Sequence, residues 1–127
     1  MTIEFCVPGR PVPMARPRVT AHGTYTPKEC REYKKLVSIM AAQTMKDSMK
    51  FENEPLECRV KFVFFLPKSR KNPWATSRPD LDNLYKAVTD AMNGIVYRDD
   101  SQIVRAIIEK CYEVNGDSRA EICVSTI

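Results

Sequence analysis

The amino-acid sequence predicts an α+β fold, a single domain over residues 1–127 in which two helices pack on a mixed sheet. Three observations predict it. Apolar residues recur with the helical period in two stretches and alternate with polar residues in others, and these segments follow the order β-α-β-α-β-β. The length of 127 residues suits one domain with a hydrophobic core of its own.

The N-terminal segments are predicted to be extended. Thr2–Val7 has the composition of a short strand. Gly9 and the prolines over residues 8–17 disfavour regular structure and predict an exposed arm that carries several arginines. A turn at His22-Gly23 predicts a small hairpin between residues 18–20 and 24–25.

The next two elements are a helix and a strand. Thr26 as the N-cap and Pro27 as the first helical residue predict a helix that runs to about Met49. Residues 57–66 alternate between apolar and polar side chains, which is typical of a half-buried strand. The segment 67–77 that follows is a polar, basic loop.

The second helix carries the most informative residues. Pro79 is predicted as its first residue and Gly94 as the left-handed residue that ends it. Apolar residues repeat between them with a period of 3.6, so one face is predicted to be buried. Asp80 and Asp82 are only two residues apart, so a regular helix would point them in different directions, and they can converge if Asp80 lies on the extended residue that leads into the helix.

The C-terminal segments are predicted to be two strands. Residues 103–114 are rich in β-branched side chains, and the apolar face of this strand is interrupted by Lys110. Asn115-Gly116 favours a type I′ turn, which predicts a hairpin to a returning strand that ends near Thr126.

Composition and charge exclude several classes of protein. No run of 18 apolar residues exists, so we expect no membrane span, and residues 1–5 lack the pattern of a secretory signal. Five cysteines without C-x-x-C spacing predict reduced thiols in a cytoplasmic protein, and the single histidine argues against zinc. The formal charge of +4 is mildly basic and does not by itself imply nucleic acid.

Acidic residues at the second helix favour a site for a hard divalent cation. Mg²⁺ takes oxygen ligands, commonly one or a few carboxylates with water and substrate phosphate. Asp80, Asp82 and one of Asp99 and Asp100 could supply them, and a cation there would polarise a phosphodiester and activate water. Lys86, one turn after Asp82, could stabilise the charge that develops. The alternative is structural, because acidic residues also stabilise helix N-termini and turns.

A longer pattern in this region resembles a known family. Residues 78–94 read RPDLDNLYKAVTDAMNG, and DDSQIV follows at 99–104. Together they resemble the signature of the RusA family of Holliday-junction resolvases, which occurs in bacteria, phages and prophages. PMARPRVT at 13–20 and YTPK at 25–28 also resemble family members of phage type.

The resemblance implies an activity and a cofactor. The family is a homodimeric, Mg²⁺-dependent endonuclease that nicks two strands symmetrically across a four-way DNA junction, and Mn²⁺ can substitute. Asp80, Asp82 and Asp100 match its metal-binding aspartates, and Lys86 matches its essential lysine. No nucleotide cofactor and no membrane partner are implied.

Two further motif positions are expected to support these residues. Asn83 and Asp99 match positions of the family motif and would orient ligands or water. The spacer between Asp90 and Asp99 is slightly shorter than in the best-known member of the family. The choice between Asp99 and Asp100 as the third ligand therefore stays open.

Selectivity for a junction is expected to come from DNA shape and phosphate positions. The candidate DNA contacts are the basic residues of the arm and of the loop before the second helix: Arg10, Arg16, Arg18, Lys68, Arg70, Lys71 and Arg78. The expected role is DNA recombination or repair. The alternatives are a non-catalytic branched-DNA-binding protein of the same fold, a nuclease that prefers flaps or other branched DNA, and a small structural protein.

Overall fold

The computed structural model describes residues 1–15, 18–66, 74–114 and 116–127, with only the backbone of residues 18, 24 and 25. The elements in chain order are β1 (Thr2–Pro8), β2 (Arg18–Thr20), β3 (Gly23–Tyr25), α1 (Lys28–Met45), β4 (Leu56–Phe65), α2 (Leu81–Met92), a 3₁₀ turn (Asp100–Gln102), β5 (Ile103–Glu113) and β6 (Arg119–Thr126). A mixed sheet and two helices confirm the predicted α+β class. The predicted small hairpin is also confirmed, because β2 pairs with β3.

A four-stranded sheet in the order β1-β6-β4-β5 is the frame of the fold. β4 lies in its interior, antiparallel to β6 on one side and parallel to β5 on the other. β4 carries Val60, Phe62 and Phe64, which are all buried. A strand this apolar is most stable where neighbours on both edges and helices on one face remove it from water.

The predicted hairpin between β5 and β6 is wrong. β6 pairs with β1 and β4, and β5 lies beyond β4 at the edge of the sheet. The connection crosses the end of β4, where the Leu66 N–H donates to Glu113 O at 2.9 Å and the Phe65 N–H donates to the Ser118 hydroxyl at 2.8 Å. Direct pairing of β6 with β5 would have left one edge of the apolar β4 unpaired. Asn115 of the predicted turn lies outside the described residues.

Both helices pack on the same face of the sheet, and the hydrophobic core lies between the two layers. The helices also contact each other. The Ser38 hydroxyl donates to Ala91 O at 2.9 Å, and the half-buried Lys34 forms an ion pair with Asp90. Lys34 therefore helps to join α1 to α2.

The helix boundaries differ from the predictions by a few residues. α1 has Pro27 as its N-cap, with no side-chain cap, so Thr26 does not cap it. It ends at Met45 rather than near Met49. The early end has a physical reason, because the chain must turn to bring the buried Phe51 into the core, where its N–H donates to Val96 O at 2.9 Å.

The arm does not project into solvent as expected over its described part. Pro11 is buried, and the N–H of the half-buried Met14 donates to Asn83 O at 2.8 Å. The Sδ atom of Met14 lies 3.8 Å from the Cys30 thiol of α1. Burying these apolar side chains against the helices outweighs the solvation of an extended backbone. The arm therefore reaches the beginning of α2 and places Arg10 there.

Within the described residues no helix is both long and apolar enough to cross a membrane. All five cysteines are free, as predicted. Three of them, Cys30, Cys58 and Cys111, are buried, and burial raises the pKa of the Cys58 thiol to about 12.

Candidate active site

The segment that leads into α2 is fixed by a lysine of the sheet. Asp80 is the N-cap residue and is extended, with φ −71° and ψ 141°, which is the arrangement in which the two aspartates can converge. Pro79 therefore precedes the helix instead of starting it. The ammonium group of Lys110, on the helix-facing side of β5, donates to Ser77 O at 2.9 Å and to Pro79 O at 2.8 Å. These bonds hold the backbone immediately before Asp80.

Lys110 is a residue that sequence reasoning did not recognise as part of the site. Its only signal was a charged side chain on the apolar face of a predicted strand. The structure explains the exception, because the half-buried Lys110 ammonium donates to two backbone carbonyls of the segment before α2.

The orientation of α2 is set by its apolar face. Leu84, Val88 and Met92 are completely buried, so the opposite side of the helix must face solvent. Asp82 and Lys86 lie there, four residues apart and therefore adjacent on the helix surface, and both are exposed. The helix ends before Gly94, which adopts the predicted left-handed conformation with φ +79°.

A cleft of about 450 Å³ lies between the arm and the beginning of α2. The polar side chains at its wall are those of Arg10, Glu29, Arg78, Asp80 and Asn83. The guanidinium carbon of Arg10 lies 4.9 Å from the centre of the Phe64 ring, which orients this arginine by a cation–π contact. The cleft thus combines cationic groups suited to phosphate with a carboxylate suited to a cation.

The turn after α2 gives Asp99 and Asp100 different environments. The Asp99 carboxylate accepts the Ser101 N–H at 3.0 Å and forms a capping box with Gln102. The hydrogen bonds from Ser101 lower the pKa of Asp99 below its usual range. The Gln102 side chain also donates to Glu54 O at 3.2 Å, which fixes the turn to the chain before β4. Asp99 is therefore committed to the local structure of the turn.

Asp100 is held through its backbone, and no group in the described part of the chain donates a hydrogen bond to its carboxylate. Its N–H donates to the Oδ1 atom of Asn93 at 2.9 Å, so an amide at the end of α2 positions it. The side chain borders a recess of about 310 Å³ together with Tyr85 and Thr89 of α2 and residues 103–106. Asn93 belongs to the motif, but sequence reasoning gave it no role in the site.

A buried tyrosine contacts Thr89, one of the residues that line this recess. The Tyr97 hydroxyl donates to Thr89 O at 2.6 Å. Burial, with a smaller contribution from nearby groups that include Asp100, raises the pKa of Tyr97 far above its usual range. Tyr97 therefore remains a neutral hydrogen-bond donor that ties the 95–98 turn to α2.

The three candidate metal ligands share one property. Within the described residues, the carboxylates of Asp80, Asp82 and Asp100 accept no hydrogen bond from the protein, in contrast to Asp99. Over the same part of the chain, no three His, Cys, Asp or Glu side chains form a cluster of metal-binding geometry. Mg²⁺ is commonly held by one or two carboxylates with water and substrate phosphate oxygens, so this donor set fits the ion chemically.

The candidate DNA contacts are only partly described. Arg10 and Arg78 lie in the same cleft as Asp80. The predictions for Arg16, Lys68, Arg70 and Lys71 fall outside the described residues, and only the backbone of Arg18 is described. The structure therefore brings the two described arginines to the acidic helix.

Comparison with known proteins identifies the family. The sequence profile of the family described as Endodeoxyribonuclease RusA matches residues 8–125. A Bacillus subtilis (strain 168) protein named "Uncharacterized protein YqaN" is 29% identical over 141 residues, which cover 98% of this chain and 96% of that protein. The "Crossover junction endodeoxyribonuclease rusA" of Lactococcus phage r1t is 49% identical over 70 residues, which cover 51% of this chain and 53% of the phage protein. A profile match over nearly the whole chain, on a fold that exposes the motif's acidic residues, shows that this chain belongs to the RusA family of endodeoxyribonucleases.

Proposed function

We propose that this protein is a structure-selective endonuclease that resolves Holliday junctions by paired, symmetric nicks and acts in DNA recombination and repair. The observation that carries the proposal is the start of α2, where Arg10 and Arg78 share a cleft with Asp80. Without a cation, this acidic helix would repel a DNA phosphate. The resolvase name of the phage relative supports the junction as substrate.

Asp80, Asp82 and Asp100 are the residues that would hold Mg²⁺, with Mn²⁺ able to replace it. When bound, the ion supplies a Lewis acid for the scissile phosphate and lowers the pKa of water. The chemistry of the donor set supports the assignment, because hard cations prefer oxygen ligands and these carboxylates have no hydrogen-bond donor among the described residues.

The remaining residues of the site would bind DNA phosphates or position the chain around the site. Arg10 and Arg78 would bind phosphates beside the scissile one, with Arg10 pre-oriented on Phe64. Lys86, on the exposed side of α2, would stabilise negative charge on the reacting phosphate. Asn83 fixes the arm through its carbonyl, which accepts the Met14 N–H at 2.8 Å. Other phosphate contacts are expected from Arg16, Arg18 and the basic residues of the 68–71 segment.

A homodimer is part of the proposal. A four-way junction offers two equivalent strands, and a two-fold dimer would present one site to each of them. The protein is expected to act in the cytoplasm, where the DNA substrate is found.

A cleavage assay tests the function directly. Purified protein is incubated with a labelled four-way junction, a flap substrate and a linear duplex of the same sequence, with Mg²⁺, Mn²⁺ or EDTA. We expect paired nicks in the junction only, with either metal and not with EDTA. Tight junction binding without nicks would support the non-catalytic alternative, and faster cutting of the flap would support the flap nuclease. A protein that neither binds nor cuts branched DNA would refute the proposal.

Replacing Arg10 by methionine should weaken junction binding and reduce its salt dependence. The change keeps an apolar side chain beside Phe64 but removes one phosphate contact. The slope of log K against log salt should fall by about 1. Binding is measured in EDTA at several salt concentrations, with Lys46→Met, at the end of α1, as a control that removes the same charge. An unchanged slope would show that Arg10 does not contact phosphate.

Replacing Lys110 by methionine should impair cleavage more than binding. The variant loses the two bonds that hold the backbone before Asp80, at a cost of about 1 to 3 kcal/mol in stability. Looser placement of Asp80 should lower the cleavage rate by about tenfold to a hundredfold. Lys61→Met is the matched control, because Lys61 lies on β4, on the face of the sheet that points away from the helices. Equal rates for the two variants would refute a positioning role for Lys110.

A further inference from the structure

The outer edge of β5 has no pairing strand over most of its length among the described residues. β5 lies at the end of the sheet order, next to β4. Its C-terminal part is covered by a short segment, in which the Ala75 N–H donates to Lys110 O at 3.3 Å and Trp74 forms a bridge with Cys111. In the part of the chain that the structure describes, no element pairs with this edge over residues 103–109.

This stretch has only part of the protection that edge strands usually carry, namely a register irregularity at Val104 and the charges of Arg105 and Glu109. Residues 103–109 read IVRAIIE, without a proline or a lysine. Val104 is 65% exposed and Ile107 is 46% exposed, and Ala106 between them is also exposed. An accessible edge of β-branched residues with unpaired backbone groups is a template for another strand.

We propose that a second copy of this chain pairs its own β5 with this edge, antiparallel and about a two-fold axis at Ala106. The inference rests on the homodimer of the proposed function and assigns its interface. Because Lys110 O points to the outer edge, alternation along the strand directs the backbone N–H and C=O groups of Ala106 and Ile108 to the same edge. The regular alternation begins at Arg105, because the register with β4 shifts between Ile103 and Arg105. Pairing about Ala106 matches the free stretch of one copy to that of the other, and the small alanine lies at the axis.

The charges of the stretch are complementary to themselves under this symmetry. Arg105 lies opposite Ile107 of the second copy and diagonally across from its Glu109, within reach of these long side chains. The two-fold axis repeats this pair, so both charged residues of the stretch gain a partner of opposite charge. Arg105 is already oriented within its own chain, since its guanidinium lies 3.0 Å from the Glu57 carboxylate.

This pairing has a consequence for the sites. Residues directly opposite in an antiparallel pair point to the same face, so the helices of both copies would lie on one face of a continuous eight-stranded sheet. The recess at Asp100 is lined in part by residues 103–106 and would adjoin the interface. Both sites would then face the same side of the dimer, as two cuts in one junction require.

The first test measures oligomeric state without DNA or metal. Light scattering coupled to size exclusion is applied to the wild type, Ile107→Lys and Ile39→Lys. Ile39 on α1 is 45% exposed and is therefore a matched control for Ile107. We expect a dimer for the wild type and Ile39→Lys, and a dissociation constant at least about tenfold higher for Ile107→Lys. A monomeric wild type, or an Ile107→Lys dimer of unchanged stability, would overturn the interface.

The second test uses charge reversal to identify the partner strand. Arg105→Glu and Glu109→Arg each place like charges across the proposed pair, so each variant alone should dimerise more weakly. An equimolar mixture restores opposite charges at both pairs and should form heterodimers. Thermal melts followed by circular dichroism check that both variants are folded, because Arg105 also contacts Glu57. Weak homodimers that fail to combine would overturn the pairing. The nicking assay on the wild type decides the proposed function independently of these outcomes.

Discussion

Replacing Asp82 by asparagine is expected to lower junction cleavage by at least about a thousandfold and to leave junction binding intact or tighter. The amide keeps the shape of the side chain but removes the charge that would hold the cation, which is worth several kcal/mol in the transition state. Asp82 is exposed and within the described residues accepts no hydrogen bond, so the fold should tolerate the change. Binding should not suffer, because one negative charge near the phosphates is lost.

Single-turnover cleavage and binding in EDTA separate these two effects. Asp90→Asn is the matched control, since it makes the same chemical change on the same helix, where Asp90 pairs with Lys34. That variant should lose at most about 1 kcal/mol of stability and should cleave normally. Loss of binding together with cleavage in Asp82→Asn would indicate a structural carboxylate and would contradict the assignment.

The adjacent aspartates of the turn should respond differently to the same substitution. Asp99→Asn is expected to retain cleavage within a few-fold, because asparagine caps as well as aspartate and can still accept the Ser101 N–H. Asp100→Asn is expected to lose cleavage by about a thousandfold, because its carboxylate has no structural partner among the described residues and is the proposed ligand.

The Asp99→Asn and Asp100→Asn variants serve as controls for each other, because they match in charge change and in exposure. Both residues are exposed, and each variant removes one negative charge from the same turn. Cleavage rates are compared at several Mg²⁺ concentrations, and thermal melts show whether the turn is intact. A severe defect in Asp99→Asn with normal cleavage in Asp100→Asn would reverse the assignment and make Asp99 the third ligand.

Local sequence signals predicted the features that depend on neighbouring residues. The period of apolar side chains predicted the buried face of α2, and the two-residue spacing indicated that the aspartates can converge if Asp80 is extended, as it is. Gly94 has the predicted left-handed conformation. Each of these follows from the conformation of a few consecutive residues, so the sequence contains the necessary information.

Local sequence signals did not predict the order of the strands in the sheet. The Asn115-Gly116 pattern favours a hairpin locally, but β6 inserts between β1 and β4 instead. The strand order depends on which arrangement buries the apolar β4 best. The residues of a turn determine only local backbone conformation, so they do not predict that arrangement. The arm was misjudged for the same reason, because the surface that buries Pro11 and Met14 is formed by helices distant in sequence.

The sequence by itself determined the chemistry of this protein: the acidic helix, its basic flanks and the family motif. Only the tertiary structure decided how those groups are supported, through Lys110 before Asp80 and through Asn93 at Asp100. It also decided which of two adjacent aspartates is committed to a cap. The physical reason is that ligand chemistry resides in the residue types, whereas the position of a side chain depends on hydrogen bonds between segments that only packing brings together.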